Sequence, residues 1–139
     1  MRLPEASMRR RVMAARSARL ATVDPDGRPH LVPVVFALDR DHLWTAIDHK
    51  PKSTRDLKRL RNIATQPQVS VLVDHYEEDW TRLWWVRLDG EAGVYDDGRE
   101  RAAELLRAKY PQYRHAPLDG PIILIRIHTW RGWAASAGS

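Results

Sequence analysis

The chain has 139 residues, enough for one domain with a real core and few enough that a large ligand site would need a second copy. Hydrophobic residues make up 43%, which excludes a disordered polymer. There are 23 Lys+Arg against 18 Asp+Glu, a net charge of +5, which favours an anionic partner such as a phosphorylated cofactor, a nucleic acid or an acidic membrane surface. The absence of cysteine excludes disulfides, thiolate catalysis and Cys-ligated metal sites.

The elements follow from periodicity. Leu3, Met8, Val12 and Ala15 fall near helical spacing, which predicts a short helix ending about Ser17. "ARLATVD" reads as a strand, "PDGR" as a turn with Gly27 tolerating positive φ, and "PHLVPVVFALD" as the second strand of a hairpin. Pro33 cannot donate to a ladder, so this strand belongs at an edge or a bulge. "HLWTAID" is a third strand. In "STRDLKRLRNIATQ" the period becomes helical, with Ser53 or Thr54 as cap, Leu57, Leu60 and Ala64 as apolar stripe, Ile63 beside it, and Pro67 as stop. "QVSVLVDHY" is a strand with Val69, Val71 and Val73 on one face. A fifth strand runs from Thr81 to Tyr95, with Gly90 and Gly93 permitting bends. A helix over "DDGRERAAELLRAKYPQY" ends at Pro111, and "PIILIRIHTW" is a last strand buried on both faces from Ile122 to Ile125. The order α-β-β-β-α-β-β-α-β predicts a single, mainly β domain: a small antiparallel barrel of six strands with peripheral helices. No run approaches the ~18 apolar residues of a membrane helix, and the N-terminus lacks an apolar signal core, so the expected location is the cytoplasm.

The strongest chemical signal is "DHKPKSTRDLKRLRN". Lys50 and Lys52 lie in the loop after strand three, and Arg55, Arg59 and Asn62 are spaced to share a helix face. Next to a helix N-terminus they make a cradle for phosphate or carboxylate; the alternative is a solvated face opposite Leu57 and Leu60. The six histidines show no metal-binding spacing, although His49 and His75 end strands near acidic residues. Ser53, Ser70 and Ser136 have no nucleophile-elbow context, and no GxGxxG or P-loop is present. No catalytic group declares itself, so the chemistry of an enzyme built on this chain would belong to a cofactor. In "DWTRLWWVRLDG", adjacent strand residues face opposite ways, so one of Trp84 and Trp85 enters the barrel and the other looks out toward a covering subunit or ligand.

The run "ARLATVDPDGRPHLVPVVFALD", then "HLWTAID", then the basic stretch into "LKRLRNIATQPQVSVLVD", resembles the pyridoxamine 5'-phosphate oxidase-like split β-barrel family. It looks closest to the branch that uses a deazaflavin (coenzyme F420) in place of FMN, and "DHYEEDWTRLWWVRLDGEA" looks like one subgroup of that branch. The resemblance covers about residues 5 to 133. It implies a six-stranded antiparallel split barrel of the FMN-binding type, a homodimer with two cofactors at its interface, and hydride transfer between F420 and a small organic substrate. The ring would be flanked by Leu31 to Val35 and Trp44 to Ile47, with Val32, Pro33, Val34, Thr45, Ala46 and Ile47 as contacts. The cofactor phosphate would meet Lys50, Lys52, Ser53, Arg59 and Asn62. Independently of the resemblance, Trp80, in the loop beside Asp79, and Trp85 are the expected substrate-pocket residues. FMN-using oxidases carry a more extended basic pattern where this chain reads "HLVPVVF", which points away from a true pyridoxamine phosphate oxidase. Three alternatives fit the same residues: an FMN- or haem-binding barrel, a non-catalytic F420 storage protein, and a nucleic-acid binder. The near-balance of charge outside one helix argues against the last.

Overall fold

The computed structural model describes residues 1–47, 57–95, 98–115 and 117–136. In chain order the elements are α1 (Glu5–Ala14), β1 (Ala18–Val23), β2 (Pro29–Val34), β3 (Ala37–Asp39), β4 (His42–Ala46), α2 (Lys58–Thr65), β5 (Gln68–His75), β6 (Trp84–Tyr95), α3 (Arg99–Lys109) and β7 (Ile122–Ala134), with 3₁₀ turns at Trp80–Arg82 and Pro111–Tyr113. The strands form one seven-stranded sheet, β2-β1-β5-β6-β7-β4-β3, in which every pairing is antiparallel.

The edges of that sheet, β2 and β3, are consecutive in sequence and separated only by Val35 and Phe36. In a flat sheet, six strand spacings of ~4.8 Å would hold the edges ~29 Å apart. Three Cα–Cα steps, from Val34 to Ala37, reach at most ~11 Å. The sheet must therefore curl until its edges meet, and the result is a split barrel.

The six-strand expectation is corrected here, because the predicted second strand is two. The break at Val35–Phe36 carries no glycine or proline; side chains supply what the ladder loses. The Tyr110 hydroxyl accepts from the Phe36 N–H (3.1 Å) and donates toward the Phe36 carbonyl (2.9 Å). Thr45 Oγ1 donates to the Val35 carbonyl (2.8 Å). Pro33 does lie on an edge strand, opposite Arg19 of β1. Gly27 closes the first hairpin at φ 83°, and the Asp24 carboxylate accepts from the Asp26 and Arg28 N–H groups. Those bonds, with Lys58 3.6 Å away, hold Asp24 below the usual carboxylate range.

Two more boundaries move. Helix α2 starts at Lys58, after an extended Leu57 that makes no side-chain cap; the expected caps Ser53 and Thr54 lie outside the described residues. β6 starts at Trp84 rather than Thr81, because Asp79 Oδ1 takes the Thr81 N–H and hydroxyl and winds the preceding residues into a 3₁₀ turn. Within β6 the register shifts between Asp89 and Gly90, where a Cβ would collide with the Arg126 carbonyl oxygen.

The core has two parts. Leu20, Phe36, Leu43, Val69, Val71, Val73, Val86, Leu88, Ile123 and Ile125 fill the barrel, and Met8 and Val12 of α1 pack against them. Trp44, Ala102, Leu106, Tyr110, Tyr113 and Ile122 form the second part, under α3. β7 is buried on both faces from Ile122 to Ile125, since one face meets each part.

Tyr110→Phe removes the hydroxyl that serves both backbone groups of Phe36. A loss of about 1–3 kcal/mol in urea-denaturation stability is expected, and unchanged stability would show that the seam holds without it.

Candidate functional site

Where the two sheet edges meet, β2 stops, β4 passes beneath and the face of α2 closes one side. The result is a groove of about 250 Å³ walled by Ser17, Pro33, Val34, Val35, Thr45, Ala46 and Arg59. Five of the expected contacts therefore come together: Pro33, Val34, Thr45, Ala46 and Arg59. Arg59 is half-buried in this wall and supplies its positive charge. Thr45 is 3% exposed, and its hydroxyl proton is committed to the Val35 carbonyl. Ser17 is exposed at the rim. Sequence reasoning missed it, and only its place one residue before β1 hinted at it.

The other expectations divide. Val32 pairs with Leu20 and packs on the barrel core, and Ile47 is 4% exposed within that core, so neither side chain walls the groove. Lys50, Lys52, Ser53 and Arg55, like His49, lie outside the described residues. Asn62 is corrected. It does not share an open face with Arg59; it is 2% exposed and its side-chain amide donates to Thr22 Oγ1 of β1 at 3.0 Å. A buried amide needs a partner, and Thr22, itself 1% exposed, provides it. The buried residues of α2 are Asn62 and Ile63, with Leu57 and Leu60 partly covered, while Ala64 is exposed.

The tryptophans separate as strand alternation requires. Trp84 packs against the barrel core, while Trp85 lies on the outer face opposite Trp133. Trp85 joins Arg2, Leu3, Met8, Trp130, Arg131, Gly132 and Trp133 around a different cleft. Trp80 is 72% exposed on its 3₁₀ turn. Neither Trp80 nor Trp85 walls the groove.

Beyond Val35 the groove borders a cationic corner. Lys109 Nζ sits 3.8 Å from the Phe36 ring, and burial, followed by the charge of Arg16, lowers its ammonium to about 8. Burial pushes the Tyr110 phenol up. Among the described residues no three His, Asp or Glu side chains converge on a possible metal site. His75 pairs with Glu77 instead.

A sheet closed through a two-residue seam, with a half-polar groove at that seam, defines a split β-barrel. Residues 5–134 match the family model described as pyridoxamine 5'-phosphate oxidase, and the chain belongs to that family. No curated protein matches the sequence. Among solved structures, a FAD-binding protein from Mesorhizobium loti is 23% identical, with 95% of each chain covered and a TM-score of 0.72. A conserved hypothetical protein of Mycobacterium tuberculosis is 21% identical over 96% of this chain and 86% of its own, with a TM-score of 0.75. A haem storage protein of Vibrio cholerae is 17% identical over 96% and 95%, with a TM-score of 0.68. At these identities the likeness is one of fold.

Asn62→Ala leaves the Thr22 hydroxyl buried without its partner. A loss of about 1–3 kcal/mol is expected, read by thermal or urea denaturation; a neutral effect would mean that Asn62 has no structural task.

Proposed function

We propose that the seam groove holds the ring of a flavin-type cofactor, with the deazaflavin F420 favoured over FMN, and that the protein is a reductase acting on a small organic substrate. The observation that carries this is the convergence of Pro33, Val34, Thr45, Ala46 and Arg59 on one groove, with apolar and backbone walls for a flat ring and a cation for an anionic tail. Lys50, Lys52 and Ser53, in the segment between Ile47 and Leu57, are proposed to meet that tail with Arg59. The FAD-binding relative supports a flavin-type ligand, and the non-basic "HLVPVVF" strand favours F420 over FMN.

When bound, the reduced cofactor supplies the hydride. The chain's own residues bind, orient and exclude water. Thr45, already donating to Val35, fixes the groove wall and has no second proton to give. The haem storage relative motivates a second reading, a haem- or FMN-binding barrel without catalysis. Among the described residues the groove wall carries Arg59 and no histidine.

At about 250 Å³ the groove falls below the ~300–1,000 Å³ usual for ligand pockets, which leaves room for a further wall. A second copy is the proposed remaining wall. The outer sheet face supports this, with Leu31 66%, Leu72 36% and Trp133 40% exposed and Trp85 between Trp133 and Asp74. Sedimentation equilibrium is expected to give twice the chain mass; a single-chain mass at micromolar concentration would remove the dimer.

Charge-assisted contacts are worth roughly 1.5–3 kcal/mol each. The double variant Lys52→Gln/Arg59→Gln should thus bind F420 at least ~tenfold more weakly in a fluorescence titration, with its melting curve intact. Unchanged affinity would place the anionic tail elsewhere.

A further inference from the structure

A second concave site lies against α1 and shares no residue with the seam groove. Ser7, Arg10, Arg11 and Ala14 recur at helical spacings of three and four, so they form one stripe of α1, beside the Met8 and Val12 stripe that enters the core. With Ala15 and Trp84 they line a cavity of about 370 Å³. The small side chains of Ala14 and Ala15 leave this space open.

The polar groups of this cavity are held in place by contacts within the chain. The Arg11 guanidinium lies 5.0 Å over the Trp84 ring, and His75 stacks near-parallel to that ring at 6.5 Å. Arg11 Nε donates to Ser7 Oγ at 3.1 Å. These contacts fix the plane of the fork and occupy only its Nε–H, so its Nη donors remain. Ser7 accepts that bond, which leaves its own O–H to donate. Arg10 adds a second cation at the same wall. Among the described residues, Arg9 has Glu5 and Asp41 as carboxylate partners, whereas no carboxylate pairs with Arg10 or Arg11. Burial, and then the adjacent Arg10 charge, lowers the Arg11 pKa from its ordinary value. Both effects would be relieved by a bound anion.

We infer that this cavity binds a phosphate monoester with a small apolar or ring body. The Arg11 fork, the Arg10 guanidinium and the Ser7 hydroxyl hold the phosphate oxygens, and Ala14, Ala15 and the Trp84 edge cover the remainder. A planar, fixed guanidinium matches a phosphate through two parallel N–H···O bonds, which a lone lysine cannot do. The cavity is several times larger than a bare phosphate, so the ligand carries a body.

The test uses the full chain and phenyl phosphate as probe, with phenol as the neutral control, at constant ionic strength. The indole N–H resonance of Trp84, identified by its absence in Trp84→Phe, is followed through the titration. A saturable shift with phenyl phosphate and none with phenol is expected. Affinity should fall about tenfold or more in Arg11→Gln, and measurably in Arg10→Gln, an exposed position whose loss leaves the melting temperature intact. A response that follows ionic strength, an equal response to phenol, or undiminished affinity in both arginine variants would overturn the inference.

Discussion

The structure depends on one connection. Two residues, Val35 and Phe36, join strands that stand at opposite edges of a seven-stranded sheet. Chain connectivity leaves no flat solution, so the sheet rolls and its interior becomes the core. The same connection opens the seam. β2 can pair only with β1 and β3 only with β4, so the backbone between them needs other partners. Tyr110, at the end of α3, and Thr45, on β4, reach in to provide them. A groove at this seam is therefore a consequence of closing the barrel. The walls of the groove are the ends of β2 and β4, each paired with one neighbouring strand, together with Arg59 of α2.

α2 makes the groove asymmetric. Asn62 and Ile63 anchor the helix to the barrel, and the Asn62–Thr22 bond sets its rotation. Once that face is turned inward, Arg59, three residues earlier, meets the groove wall. The positive charge of the groove is thus positioned by a buried neutral pair, and Lys58 at the helix start is met by Asp24 of the first hairpin. α1 uses its residues in the same divided way, with Met8 and Val12 inward and Arg10 and Arg11 on the adjoining stripe.

Much of this was legible in the sequence, and the exceptions have a common cause. The alternation of Val69, Val71 and Val73, the turn at Gly27, the edge placement of Pro33 and the doubly buried start of β7 depend on local period and backbone chemistry. The break at Val35–Phe36 was hidden because the apolar run "PVVFALD" continues through it; Tyr110, which replaces the ladder there, is 74 residues away. Asn62 was assigned to the Arg59 face by spacing alone, and its partner Thr22 lies 40 residues upstream. Helix phase can be read from a pattern, but the buried polar group that fixes it cannot. The adjacent pair Trp84 and Trp85 was readable as one indole in and one out, yet which was which depended on the register of β6 against β5 and β7.

The central claim is that the seam between β2 and β3 is the ligand site. A crystal structure of the protein soaked with F420 tests it most directly. The account predicts ring density along Pro33–Val35 and Thr45–Ala46 with the anionic tail toward Arg59. Ring density confined to the Trp85–Trp133 cleft, with the seam filled only by solvent, would contradict it.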